Sequence, residues 1–166
     1  EVIQDFFQDK YLRISIQYAI ENEPLGTGGG IKNAFSLVDD DAFVLNGDTY
    51  FDIELLKLKN EQTDISIALK PMFEFDRYGT VELNNESSII SFNEKKYCAH
   101  GLINGGIYYF KKSLFDKIET AKKFSFEKDI LEKHLSDLNI QGKVFDNYFI
   151  DIGIPEDYEK AKIDFR

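Results

Sequence analysis

The stretch Ala42-Phe43-Val44-Leu45-Asn46-Gly47-Asp48-Thr49 constrains the fold more than any other. Its apolar residues run without polar interruption and stop at Asn-Gly-Asp, the pattern of a buried strand that surfaces abruptly at its carboxyl end. In open α/β sheets ligands sit at that end. Asp48 would then hang over a crevice, and Gly47 would let a ligand approach the backbone. Asn46-Gly47-Asp48 is equally a composition that tight turns favour. These residues alone leave both readings open.

What flanks this stretch sets its context. Val2, Ile3, Phe6, Phe7 and Tyr11 have helical spacing and predict a helix over residues 1–11, while Leu12, Ile14, Ile16 and Tyr18 alternate and predict a strand over 12–19. Four glycines then occupy five positions, 26–30, ahead of a helical repeat of Ile31, Ala34, Phe35 and Val38. This reads as a Gly-rich loop opening a helix, whose free N–H groups and dipole favour anionic or hydrogen-bond-accepting ligands. A flexible connection is the alternative. It is not a Walker loop, because no Gly-Lys-Ser/Thr follows. After residue 49, Asp52 is the expected cap of a short helix carrying Leu55, Leu56 and Leu58, and 65–69 is a second continuous apolar run. Strand and helix alternate, which predicts a parallel sheet with right-handed crossovers.

Beyond Pro71 the pattern changes. Residues 80–83 and 89–92 predict a hairpin around a polar turn, Glu94-Lys95-Lys96 follows, and a strand over 103–110 is interrupted by Asn104-Gly105-Gly106. Adjacent glycines in a strand mark a bulge or a close approach by backbone or ligand. Helices are predicted over 113–121, with Ser113 and Asp116 in capping-box-like spacing, and over 126–135. A strand over 144–150 ends at Asp151-Ile152-Gly153-Ile154-Pro155, so Asp151 repeats the setting of Asp48. Pro155 suits the first position of a closing helix whose face carries Tyr158, Ala161 and Phe165. His100 has no clustered partner, and His134 reads as a surface or packing residue.

Composition excludes several functions. The 166 residues suit one domain with a real core, and a net charge of −10 with no basic tract argues against nucleic acid as a partner. For a nucleotide ligand, that acidity points to a divalent cation between carboxylates and phosphates. No apolar run approaches the ~18 residues of a membrane span. The lone Cys98 cannot form an internal disulfide, which fits a cytoplasmic setting. Glu1 stands where a methionine would start, so the chain is expected to begin partway through a larger protein.

Taken together in order, Leu25-Gly26-Thr27-Gly28-Gly29, Leu45-Asn46-Gly47-Asp48, Arg77-Tyr78-Gly79, Phe92-Asn93-Glu94-Lys95, Asn104-Gly105-Gly106-Ile107-Tyr108 and Asp151-Ile152-Gly153-Ile154-Pro155 resemble the sugar-phosphate nucleotidyltransferases. Within that family the likeness is strongest to bacterial D-glycero-D-manno-heptose 1-phosphate and mannose-1-phosphate guanylyltransferases. The resemblance implies a Rossmann-like, doubly wound mixed sheet of the GT-A-like type in a single domain, with residues 1–70 in the nucleotide-binding half and 71–166 in the sugar-binding half. It implies that Leu25, Gly26, Thr27, Gly28, Gly29 and Gly47 line the nucleotide, with Glu21 near that pocket. Asp48 and Asp151 would hold Mg²⁺ as the catalytic carboxylates. Gly79, Glu94, Lys95 and Asn104 would surround the sugar 1-phosphate. The implied substrates are GTP and a heptose 1-phosphate, in the cytoplasm, for capsule or lipopolysaccharide synthesis; a homo-oligomer is compatible.

One departure counts against the matches. The family's opening Leu-Ala-Gly-Gly-x-Gly-Thr-Arg-Leu loop and following Pro-Lys, source of its triphosphate-binding Arg and Lys, are missing from these residues. The expectation is therefore a domain truncated at its first strand, inactive or nearly so as given. A non-catalytic nucleotide-sugar-binding or regulatory module is the alternative. A glycosyltransferase is disfavoured because Asp48-Thr49-Tyr50 stands where Asp-x-Asp would be.

Overall fold

A computed structural model describes residues 2–166. A six-stranded mixed sheet is built around one long strand. Strand β8 (Cys98–Phe110) pairs antiparallel with β5 (Ile65–Phe75) along one edge. Along its other edge it pairs first with β6 (Thr80–Leu83) and then with β3 (Ala42–Leu45). β7 (Ile89–Phe92) extends the sheet beyond β6, and β9 (Ile140–Val144) lies parallel to β5 on the far side.

Alternation along β5 and β8 buries both faces. Ile65, Ile67 and Leu69 with Tyr108 and Phe110 face one core, shared with Phe35, Leu114, Phe126, Ile130 and Leu131. That core is covered by helix α2 (Gly26–Ala34), the 3₁₀ turn Phe35–Leu37, the short helix α3 (Leu114–Lys117) and a π-helical segment, Glu127–Glu132. Ala68, Ile107 and Tyr109 face a smaller core with Phe51, Leu58 and Phe145. Over that face runs a two-stranded ribbon of β4 (Thr49–Phe51) and β10 (Phe149–Asp151), and helix α4 (Pro155–Asp164) follows it.

Strands form at both apolar runs, around 42–46 and 65–69, but only the second is buried as expected: β3 is half-buried and its Leu45 is 51% exposed. The 80–92 hairpin and Pro155 at the start of the closing helix form too. Other expectations are corrected. β3 and β5 are not hydrogen-bonded neighbours, because β8 runs antiparallel between them; β5 with β9 is a parallel pair. The 12–19 alternation yields only a minimal hairpin, β1 (Lys10–Tyr11) with β2 (Ile14–Ser15), and among the described residues neither strand pairs with any other. Tyr11 belongs to that hairpin, and the first helix α1 is Val2–Phe7; Glu1 lies outside the described residues. Glu54, not Asp52, precedes the 3₁₀ turn Leu55–Lys57, and Ser113 makes no side-chain cap bond to α3. The helix expected over 126–135 is the π segment, and the strand expected over 144–150 divides into the end of β9 and β10.

The glycine-rich stretch is helix rather than loop. α2 begins at Gly26, which has φ +76, and the Gly28 and Gly29 amides donate to the Phe124 carbonyl at 3.1 and 3.4 Å. A Cβ at Gly28 would strike the Phe124 ring, so the glycines let α2 close on the chain ahead of the π segment. Their helix-start amides are thereby occupied by protein.

Asp64 joins three elements at the buried end of β5. Its carboxylate accepts from the Asn139 amide at 3.0 Å and from the Lys117 ammonium, while its own amide donates to the Asn139 carbonyl at 2.9 Å. Burial alone would raise its pKa, but the Lys117 and Asn139 hydrogen bonds outweigh that and hold it below the ordinary carboxylate range. A depressed carboxylate contributes stability above its unfolded pKa and loses it as pH falls through the folded value. Urea melts from about pH 5 down to about pH 2 should show Asp64→Asn losing part of the parent's acid destabilisation. In a second comparison, Ile67→Ala, fully buried in the larger core, should cost about 2–5 kcal/mol in urea denaturation. Leu56→Ala, at a residue 72% exposed, should stay within about 0.5 kcal/mol.

Candidate active site

The β8 bulge opens the floor of a cavity of about 730 Å³, bounded by the β6–β7 hairpin, the end of β10 and the π segment. Between Ile67 and Leu69 the β5–β8 register shifts, and the extra β8 residues include Gly106 at φ +71. Gly105 packs so closely that a Cβ there would lie 2.6 Å from the Phe51 ring and 2.9 Å from the Ala68 carbonyl. Both expected roles of these glycines, bulge and close approach, are thus met by protein. Asn104 Oδ1 accepts from the Gly106 amide at 3.0 Å, and its Nδ2 donates to the Tyr108 hydroxyl at 2.9 Å. One amide hydrogen of Asn104 is left over for a ligand.

The cavity gathers Gly79, Glu94, Lys95, Asn104 and Asp151, five of the residues expected from sequence. Gly79 is forced by proximity: a Cβ there would collide with the Asn93 carbonyl. Asp151 ends β10, opposite Thr49 in the antiparallel register. Its Oδ1 accepts from the Gly153 amide at 2.7 Å and its Oδ2 from the Tyr78 hydroxyl at 3.2 Å. Burial, reinforced by the Asp151 carboxylate, pushes Tyr78 up to about 12, so it remains a neutral donor. Arg77 stands 4.0 Å from Asp151 but is engaged mainly by Asp157 on α4, at 2.5 Å.

Asp48 and the glycine helix lie elsewhere. Asp48 is exposed and outside the cavity lining, although its carbonyl accepts from the Ile152 amide at 2.9 Å, next to the Thr49–Asp151 pair. The two aspartates are therefore backbone neighbours. Gly47 is open to solvent, and a Cβ there would meet no atom within 4 Å. Among the described residues no group of three or more His, Cys, Asp or Glu could hold a metal. Two carboxylates completed by phosphate oxygens and water remain a donor set that suits Mg²⁺.

Leu25, Gly26, Thr27, Gly28 and Gly29 do not line the cavity. The Leu25 amide donates to Glu21 at 2.9 Å. Thr27 Oγ1 accepts from the Phe126 amide at 2.8 Å and donates to Glu127 at 3.0 Å. Glu127 and Lys128 do line the cavity, and nothing in their local sequence marks them for it. His100 packs beside Phe73, and His134 Nδ1 lies 3.2 Å from Asp137, so neither histidine joins the site.

The family model described as nucleotidyl transferase matches residues 1–166. The D-glycero-α-D-manno-heptose 1-phosphate guanylyltransferase of Campylobacter jejuni is 51% identical over 158 residues, covering 95% of this chain and 71% of the relative. The enzyme of the same name from Aneurinibacillus thermoaerophilus is 47% identical over 98% of this chain and 72% of its own length. The crystal structure of HddC from Yersinia pseudotuberculosis complexed with GMP-PN superposes with a TM-score of 0.87 at 36% identity, covering 99% of this chain and 73% of that one.

The Arg77–Asp157 contact is partly exposed on both sides, so its stabilisation is modest. A double-mutant cycle of Arg77→Ala with Asp157→Ala, followed by thermal denaturation, should give a coupling of about 0.5–1 kcal/mol that shrinks in high salt.

Proposed function

From the premise that this chain belongs to the nucleotidyl transferase family, we propose that it transfers a guanylyl group from GTP to D-glycero-D-manno-heptose 1-phosphate, releasing pyrophosphate. The observation that carries this reading is the convergence of Gly79, Glu94, Lys95 and Asn104 on one cavity beside Asp151 at a strand end. That cavity has the size of a small-ligand site and mixes apolar walls with a few convergent polar groups. The names of the heptose relatives and the GMP-PN complex of HddC support the choice of sugar and base.

In the proposed reaction an oxygen of the sugar 1-phosphate attacks the α-phosphorus of GTP. The new O–P bond forms as the bond to the bridging oxygen breaks, and pyrophosphate leaves with that electron pair. Mg²⁺, when held by Asp48 and Asp151, would neutralise charge on the phosphate oxygens. Tyr78 and the Gly153 amide fix the Asp151 carboxylate by donating to its two oxygens. Lys95 brings a cation to the sugar phosphate, while Glu94 and the remaining Asn104 hydrogen address sugar hydroxyls. Gly79 lets the chain close on the Asn93 carbonyl, which sets the approach of Glu94 and Lys95 to the sugar. Gly47 and the backbone of Leu25, Gly26, Thr27, Gly28 and Gly29 would border the nucleotide. Such a displacement depends chiefly on positioning and charge neutralisation. We place this step in the cytoplasm, in the supply of activated heptose for capsule or lipopolysaccharide.

Pyrophosphate release by the full-length protein, with GTP and Mg²⁺ and a panel of heptose, mannose and glucose 1-phosphates, tests the reading. The heptose substrate should give the highest kcat/KM, and Asp48→Ala and Asp151→Ala should each lower it by about a hundredfold or more, equivalent to about 2.7 kcal/mol of lost transition-state stabilisation. Binding of nucleotide-sugar without turnover of any pair would favour a non-catalytic module instead.

A further inference from the structure

Glu127 stands in the cavity wall with an unequal pair of carboxylate oxygens. Its Oε2 accepts from Thr27 Oγ1 at 3.0 Å and from Ser125 Oγ at 3.1 Å, whereas Oε1 carries no hydrogen bond among the described residues. The backbone around it is fixed independently. Asp129 accepts from the Ser125 amide at 2.7 Å, Ser125 Oγ accepts from the Lys128 amide at 3.2 Å, and the segment then runs on as π-helix, a form enriched at functional sites. Thr27 in turn is aimed at Glu127 because its hydroxyl oxygen is anchored on the Phe126 amide.

We propose that Glu127 is a further sugar-recognition residue, its Oε1 accepting from ring hydroxyls of the sugar 1-phosphate, and that Thr27 acts as its positioning residue rather than through a side-chain contact to the nucleotide. A carboxylate with one oxygen pinned by two hydroxyls presents the other in a fixed direction, with two lone pairs for adjacent hydroxyls. Acceptance by a charged oxygen is about twice as strong as a neutral hydrogen bond, so the discrimination it gives between hydroxyl configurations is large. Glu94 and Glu127 would thus supply acceptors from two different elements lining one cavity. The inference rests on the transferase reading for its substrate class.

The test varies each substrate at saturation of the other, in the full-length protein carrying Glu127→Gln, Thr27→Val or Thr27→Ser. Glu127→Gln should raise KM for the heptose 1-phosphate about tenfold, the scale of weakening one charge-assisted bond, with KM for GTP within about twofold. Thr27→Val should shift the same constant by a smaller factor, and Thr27→Ser, which retains the hydroxyl, should restore it. A rise in KM for GTP equal to or larger than that for the sugar, in either Glu127→Gln or Thr27→Val, overturns the proposal; so does failure of Thr27→Ser to restore. Calorimetric titration of heptose 1-phosphate separates this from the underlying reading. If the parent binds it without turnover, the transferase reading fails while the weakening by Glu127→Gln still decides the proposal. Absence of binding by the parent to every sugar phosphate overturns it.

Discussion

The molecule depends on one strand serving three neighbours. β8 hydrogen-bonds β5 along one edge and gives its other edge in succession to β6 and β3, so both parts of the chain meet on it. An uninterrupted strand could not do this and also open a cavity at mid-length. The register shift absorbs the change, with Gly106 in a left-handed conformation and Asn104 closing the loop onto its amide. The Asn46 amide then donates to the Gly106 carbonyl at 2.8 Å, which fastens the end of β3 to the bulge. Side-chain recognition and sheet continuity are therefore properties of the same few residues.

The site inherits its rigidity from secondary structure and its polarity from the connections. Asp151 is placed by the β4–β10 ribbon and oriented by Tyr78 and Gly153. Glu94 and Lys95 follow β7 directly, and Asn93 before them is held by Thr80 through both its backbone amide, at 2.8 Å, and its side chain, at 3.2 Å. The anchoring stops there: Glu94 and Lys95 are exposed, and ordering each side chain on a ligand costs about 0.5–1.5 kcal/mol.

The sequence was legible where one physical demand dominated. Continuous apolar runs at 42–45 and 65–69 became β3 and the first half of β5; Ile65–Leu69 is buried on both faces, whereas β3 is only half-buried. The alternation at 12–19 obeyed the same rule of periodicity, yet a strand also needs a partner edge, which local pattern does not encode. Clustered glycines were ambiguous between freedom and proximity; the Phe124 ring and carbonyl, far along the chain, decide for proximity and put them inside a helix. Gly79 and Asn104 could be placed at the cavity through ordered motifs, whereas Glu127 could not. Its partner Thr27 is 100 residues away, a pairing that side-chain spacing does not reveal.

Arg77, Lys95 and Lys128 bring three cations to the cavity wall, but Glu94, Glu127, Glu132 and Asp151 stand in the same wall and Arg77 is already engaged by Asp157. The wall therefore offers a polyanion no net positive field, and the chain as a whole carries a charge of −10. Salt shortens the reach of that repulsion, to about 8 Å at physiological ionic strength. A phosphate-bearing ligand arriving without a cation would thus associate faster as ionic strength rises, the reverse of electrostatic steering.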